Sequence, residues 1–221
     1  KNKVKNNIEI ILNQFSYKSD IILTDFNIPF KSLLSLCLKT KFKSLPFTLD
    51  KPDYSGVEHD IELRNRFLDM FKDIELDKYE HCLIKTLMEN IPLCYLEGYP
   101  ILKDSINKYI KYNPKAIVTS GAFWFNERIK ILSAIWSEGG TELVAVQHGG
   151  GYGSMNKEVF EHVETKLSDY FFSWGWTYNN SGKVKALPKN CTIFLLAPVV
   201  RGRKGEYKKD ILNYKKRGFQ K

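Results

Sequence analysis

The sequence has no closely spaced pair of cysteines: Cys37, Cys82, Cys94 and Cys191 stand far apart. Structural zinc normally needs paired ligands a few residues from one another, so a zinc ribbon or finger is not indicated. Scattered thiols without an export signal read as reduced cytosolic cysteines, and none carries a local nucleophile signature. No uninterrupted apolar run approaches the ~18 residues of a transmembrane helix. There is no internal repeat and no low-complexity segment. The familiar phosphate loops are missing too. No Lys-Ser or Lys-Thr follows the glycines at 149–151, and no GxGxxG stands ahead of a suitably placed acidic residue. Nor is there a recognised nucleic-acid-binding motif. The chain begins at Lys1 rather than methionine, which leads us to expect a fragment of a longer protein.

What is present suits a soluble globular protein: 43% hydrophobic and 27% charged residues, over a length that allows one large domain or one domain and part of another. The net charge of +9 is unevenly placed. Residues 183–221 carry twelve Lys or Arg against Glu206 and Asp210, so the remainder is close to neutral. Arg201, Arg203, Lys204, Lys208, Lys209, Lys215, Lys216 and Arg217 crowd the last stretch. Such a segment attracts anionic lipid headgroups or a donor phosphate. With a near-neutral body, nucleic acid is not expected as a partner. The expected location is cytoplasmic, peripheral to the inner membrane through this tail.

Hydrophobic spacing lays out the rest. Val4, Ile8, Ile11, Leu12 and Phe15 recur at helical intervals ahead of a strand at Ile21–Thr24. A helix follows Pro29, with Leu33, Leu34, Leu36, Cys37 and Leu38 crowding one side. Residues 43–57, with Pro46, Pro52 and Gly56, read as a loop. A helical segment at 58–112 comes next, its first helix marked by Ile61, Leu63, Phe67, Leu68 and Phe71 with Arg64 and Arg66 off the apolar face. Further helices are expected at 77–96 and 101–112.

From Pro114 short apolar strands alternate with helices: a strand at 116–119, a turn at Ser120-Gly121, a helix over 124–138, a cap at Gly139-Gly140 and a strand over 143–146. Near-continuous apolar strands joined by helices predict an α/β fold, a Rossmann-like doubly wound parallel sheet with a helical insertion. An edge strand is expected at 169–173 and a final one at Thr192–Ala197. Domain boundaries follow: a Rossmann-like domain over 1–177, a linker over 178–190, and over 191–221 a truncated second domain or basic tail.

Binding sites in such sheets lie beyond the carboxyl ends of the strands. There the sequence places Gln147, His148, Gly149, Gly150, Gly151, Tyr152 and Gly153. Glycines allow positive φ and close approach to a ligand, and their amides can meet a phosphate, although a tight turn alone would also demand them. His148 can act as a general base at neutral pH, or it can simply shape the loop. Glu158, Glu161 and Glu164 follow at intervals of three on a predicted helix, available to orient His148, to bind sugar hydroxyls or to form a solvated face. Glu158 and His162 share metal-ligand spacing but lack a visible third ligand, so no metal is expected. Ser120 sits at a second strand end, and Arg128 could bind an anion although a surface role suits it better. Trp174 and Trp176 could stack a base or sugar or simply pack. Phe123, Trp124 and Phe125 read as core or interface.

The spaced combination of Gln147-His148-Gly149-Gly150-Gly151-Tyr152-Gly153, Glu164 with Leu167-Ser168-Asp169, and Ser173-Trp174-Gly175-Trp176 resembles a family of bacterial surface-carbohydrate transferases of the leptospiral type, associated with O-antigen and capsule clusters. The likeness is strongest over residues 114–177. More distantly, the His-Gly loop is similar to that of CDP-glycerol glycerophosphotransferases and capsular Kdo transferases. The resemblance implies the N-terminal, acceptor-side half of a GT-B architecture. It implies transfer of a glycosyl or glycerophosphate-like group from a nucleotide-activated sugar donor to a glycan or lipid-linked acceptor, with no cofactor. It makes His148 the general base and Glu164 its support. A non-catalytic carbohydrate- or nucleotide-binding domain is the alternative, because little of a donor half is present.

Overall fold

A computed structural model describes residues 2–16, 18–25, 29–49, 51–149, 151–155, 158–177 and 183–187. The basic tail and the strand expected at Thr192–Ala197 lie outside the described residues. The chain divides into two compact units, one holding residues up to Thr48 and those from Tyr112 on, the other Leu49–Lys111.

The first unit is α/β. Its elements are α1 (Asn2–Ser16), β1 (Ile21–Thr24), α2 (Phe30–Lys39), β2 (Ser44–Pro46), then β3 (Ala116–Thr119), and further on β4 (Glu142–Val146), β5 (Tyr170–Ser173) and β6 (Val184–Ala186). These form one six-stranded sheet in the order β2-β1-β3-β4-β5-β6, parallel at every pairing. The strands read as unbroken apolar runs because helices cover the sheet. Leu12 of α1 and Leu33 and Cys37 of α2 pack with Leu23 and Leu45 in one core cluster. Burial pushes the Cys37 thiol pKa up, which keeps it protonated and unreactive.

Two strands depart from expectation. Residues 43–57 were expected as loop, yet β2 lies there. Lys43 accepts from the Ile21 amide at 2.8 Å and Phe47 donates to Leu23 at 2.7 Å, so alternate residues face β1 and the nitrogen of Pro46 points to the open edge. An edge strand tolerates proline in that position. The strand at 169–173, expected at an edge, is internal, because Val184–Ala186, within the stretch read as linker, pairs outside it.

The remaining helices of this unit are α6 (Ala122–Phe125), α7 (Glu127–Glu138) and α8 (Val159–Leu167). The single helix expected over 124–138 is interrupted at Asn126, whose backbone is extended and whose side chain caps α7 by accepting from the Ile129 amide at 3.3 Å. The break turns Phe125 outward, 73% exposed rather than in the core. The buried stripe of α7 is Arg128, Ile129, Leu132, Ser133 and Trp136, so the surface position expected for Arg128 is overturned. Gly140 ends the helix with φ +91 while Thr141 donates to Trp136 at 3.0 Å and Gly140 to Ser137 at 3.0 Å, the hydrogen-bond pair of a Schellman cap.

The second unit contains α3 (Ile61–Asp69), α4 (Lys78–Asn90), a short 3-10 turn at Leu93–Tyr95 and α5 (Tyr99–Asp104). The structure reverses the expected polarity of α3: Ile61 is exposed and Arg64 is buried. All five guanidinium N–H groups of Arg64 find acceptors. Nε and Nη2 donate to the two Glu97 carboxylate oxygens at 2.7 and 2.9 Å, Nη1 to Met88 O at 2.6 Å and Glu89 O at 3.3 Å, and Nη2 also to Ile91 O at 2.9 Å.

Arg64 holds the Glu97 carboxyl at a pKa of about 2, against an ordinary value of 4.5. A carboxylate whose pKa is lower in the folded state stabilises the fold above its unfolded pKa, and that contribution disappears as pH falls towards the folded value. We therefore expect helical circular dichroism of the intact chain to lose stability between about pH 4.5 and 2. Glu97→Gln should be less stable at neutral pH and lack this component of the acid dependence. An acid transition identical in the variant would refute the assignment.

Candidate functional site

Because every described strand is parallel, their carboxyl ends share one edge of the sheet, and the residues that leave β3, β4 and β5 there build the candidate site. Gln147 extends β4, its amide donating to Phe172 O at 2.9 Å. Its side chain is buried and joins two strand ends: Oε1 accepts from the Trp174 amide at 2.7 Å and Trp176 Nε1 at 2.9 Å, while Nε2 donates to Gly149 O at 2.7 Å. Gln147 and Trp176 thus fix where the chain must turn, and His148 is the next residue.

His148 is partly open, with 26% of its side chain exposed, whereas Glu164 is 1% exposed. His148 Nε2 lies 3.1 Å from Glu164 Oε1 and 2.7 Å from the Tyr152 hydroxyl, which in turn donates to Glu164 Oε2 at 2.9 Å. The tautomer follows from this closed triangle. The tyrosine proton is directed at the carboxylate, so Nε2 faces two oxygen acceptors and must carry hydrogen. Nδ1 then holds the lone pair, and no hydrogen bond from the described residues falls on it.

Burial, and then the negative charge of Glu164, push the Tyr152 phenol pKa far above its ordinary value. Tyr152 therefore stays a donor and cannot serve as the base. It is anchored by stacking on Phe171, centroids 5.8 Å apart. A carboxylate as buried as Glu164 is costly unless paired, and His148 and Tyr152 are the partners it finds.

Helix α8 supplies the acids in an arrangement the spacing alone did not reveal. Glu158 is not within the helix but is its N-cap, accepting from the Glu161 amide at 2.6 Å. Glu161 is buried and accepts from the amide of Gly153. Glu161 and Glu164 form no solvated face. They hold the loop and the imidazole respectively. Among the described residues no group of three His, Cys, Asp or Glu could hold a metal ion.

Of the glycines, Gly153 has φ +70 and lies against Trp176, with an added Cβ falling 2.7 Å from the indole ring. A Gly153→Ala protein should lose about 1–2 kcal/mol from its left-handed backbone alone. Displacement of the indole should also shift tryptophan emission to the red. Unchanged melting and emission would show that the loop does not need glycine there. Gly149 packs against the Tyr152 ring, and Gly151 O accepts from Ser154 Oγ at 2.8 Å. Gly150 lies outside the described residues.

At the end of β3 the buried Thr119 Oγ1 accepts from the Ala122 amide at 2.9 Å and Gly121 at 3.3 Å, and Ser120 Oγ donates to Asp25 O at 2.7 Å. Trp174 is half-buried and its Nε1 has no partner among the described residues. Sequence reasoning passed over Phe160, whose ring centroid is 6.1 Å from that of His148 and 4.5 Å from that of Trp124. Its apolar position on an amphipathic helix carried no separate signal. Asp25 and Asn126 were passed over as well.

The sequence model of a family described as LIC12162 family transferase matches residues 1–213. Short matches occur to UvrABC system protein A of Rickettsia prowazekii, Rickettsia felis and Bradyrhizobium diazoefficiens, each 58% identical over 38 residues, 17% of this chain. The chain spans about 4% of the length of these curated relatives. No solved structure matches.

Proposed function

Since this chain belongs to the LIC12162 family of transferases, we propose that it transfers a glycosyl or glycerophosphate-like group from a nucleotide-activated donor to a hydroxyl acceptor in bacterial surface-polysaccharide assembly. The observation that carries this reading is the imidazole of His148, which turns Nε2 inward to Glu164 and leaves Nδ1 for a substrate. In the glycosyl case the acceptor O–H proton passes to Nδ1 as its oxygen bonds to the anomeric carbon of the donor. The bond from that carbon to the nucleotide's phosphate oxygen breaks, and its electron pair leaves with the phosphate. Glu164 stabilises the imidazolium that forms, and Tyr152 keeps the carboxylate in place.

A GT-B architecture, with this unit on the acceptor side and the donor held elsewhere, accommodates the position of the loop at the strand ends. No helix among the described residues is long and apolar enough to cross a membrane. The basic segment at 201–221 would draw the protein to an anionic membrane face, where a lipid-linked acceptor resides.

The test is release of free nucleotide from a panel of nucleotide-activated sugars and CDP-glycerol, with glycan acceptors supplied. Acceptor-dependent release that requires His148 supports the reading. Release unchanged without the imidazole, or acceptor binding with no turnover under any donor, overturns it.

A further inference from the structure

Phe125 ends α6 with its ring 73% exposed, yet it belongs to the group of rings around His148. Phe160 bridges them, its centroid 6.1 Å from each. Gly121 lies between the two rings. A Cβ built on it would stand 3.8 Å from Phe125 Cδ2 and 4.0 Å from His148 Cδ2, and its φ of +152 is one that side-chain-bearing residues avoid. Gly121 itself is buried, so only backbone separates the aromatic face from the imidazole.

Polar groups stand beside the phenyl ring. Asn126, next to Phe125, donates through Nδ2 to Asp25 Oδ2 at 3.3 Å, and the Asp25 side chain is exposed. Ser120 ties the two strand ends together through Asp25 O at 2.7 Å. Asp25 follows β1 and Ser120-Gly121 follows β3, and the strand order reverses between these two strands. Open parallel sheets bind ligands at such a reversal.

We infer that the exposed side chains of Phe125 and Asp25 form a subsite for a sugar ring, which they present to His148. A pyranose has an apolar C–H face and a rim of hydroxyl donors. The exposed phenyl ring takes the face, and the Asp25 carboxylate, which only accepts, takes the hydroxyls. A nucleobase edge mixes donors and acceptors and would need both kinds of partner. The inference rests on the transferase reading and narrows it: the acceptor hydroxyl belongs to a sugar, not to glycerol.

Binding of methyl glycosides of glucose, galactose and mannose to the intact chain, measured by saturation-transfer NMR without donor, tests the subsite. Uridine, cytidine and guanosine monophosphates run in parallel. Sugar affinity should fall about tenfold in Phe125→Ala, the scale of one aromatic contact, and recover in Phe125→Trp. Asp25→Asn should weaken binding too. Melting should be unchanged, as expected for exposed positions.

Failure of every glycoside to bind, sugar affinity indifferent to Phe125, or nucleotide binding that alone depends on Phe125 would each overturn the subsite. The assay needs no turnover, so its outcome separates from that of the transferase reading. Phe125-dependent sugar binding without catalysis removes the enzyme and keeps the subsite. Turnover with Phe125-independent sugar binding does the reverse.

Discussion

Glu164→Gln should lower turnover nearly as far as His148→Ala, by about 10²–10⁴-fold, although it leaves the imidazole in place. Removing the ring deletes the base. Exchanging the carboxylate for an amide does something subtler. Glu164 Oε1 lies 3.1 Å from His148 Nε2 and is an acceptor only, which keeps the ring proton on Nε2. A glutamine can turn its NH2 towards that nitrogen, moving the proton to Nδ1, where the substrate's own proton has to go. The same tautomer argument applies to the orienting carboxylate of hydrolase triads. Tyr152→Phe should be milder, because it removes one donor from Glu164 and leaves the carboxylate facing Nε2. Ring ¹⁵N shifts would report the tautomer directly, which a merely structural role for Glu164 would not alter. Near-full turnover in Glu164→Gln would rule out the assignment.

The largest stability effect should come from Arg64→Ala, about 3–5 kcal/mol, the usual cost of breaking a buried ion pair from one side. Glu97 would be left 6% exposed and charged without its partner. The carbonyls of Met88, Glu89 and Ile91, at the end of α4, would lose their donors as well. Arg64→Met, similar in length, should recover little, since it supplies no N–H. The Arg64→Ala, Glu97→Ala pair should be less damaging than the sum of the two single changes, because no unpaired charge remains. Guanidinium melts followed by circular dichroism would measure all four proteins. A single-site loss below about 1 kcal/mol would mean the pair contributes no more than a surface salt bridge.

Much of the α/β unit was legible because its strands are short apolar runs bounded by turn residues. Ile21–Thr24, Ala116–Thr119 and the strand ending at Val146 stand where periodicity put them. What escaped was decided by neighbours. Ser44–Pro46 is a strand only because β1 offers its edge, and proline spoke against it. Arg64 was assigned to a polar face since charge predicts exposure, and only Glu97, 33 positions on, makes its burial tolerable. At the site, His148 and its glycines declared themselves by composition. The triangle with Tyr152 and Glu164 did not, because it depends on α8 setting Glu164 16 positions from His148 but 3.1 Å away. Spacing left Glu161 and Glu164 open between serving His148, binding sugar hydroxyls and forming a solvated face, and their burial against the loop is visible only in the fold. Phe125 was read as core or interface, and one extended residue, Asn126, turned it out of the core.

The insertion between β2 and β3 also sets the order in which this protein can assemble. Asp20 and Lys115, which flank the central pairing of β1 with β3, are 95 positions apart. Joining them directly from an unfolded chain carries a large loop-closure entropy, and topologies dominated by such distant pairings nucleate slowly. If Leu49–Lys111 collapses first around Arg64 and Glu97, most of that span is already compact when β3 arrives, and the barrier to pairing shrinks. The buried ion pair would then control how fast β1 and β3 pair. Refolding of the Arg64→Ala chain, timed by recovery of tryptophan emission, would reveal such a kinetic role for a residue with no place in the chemistry.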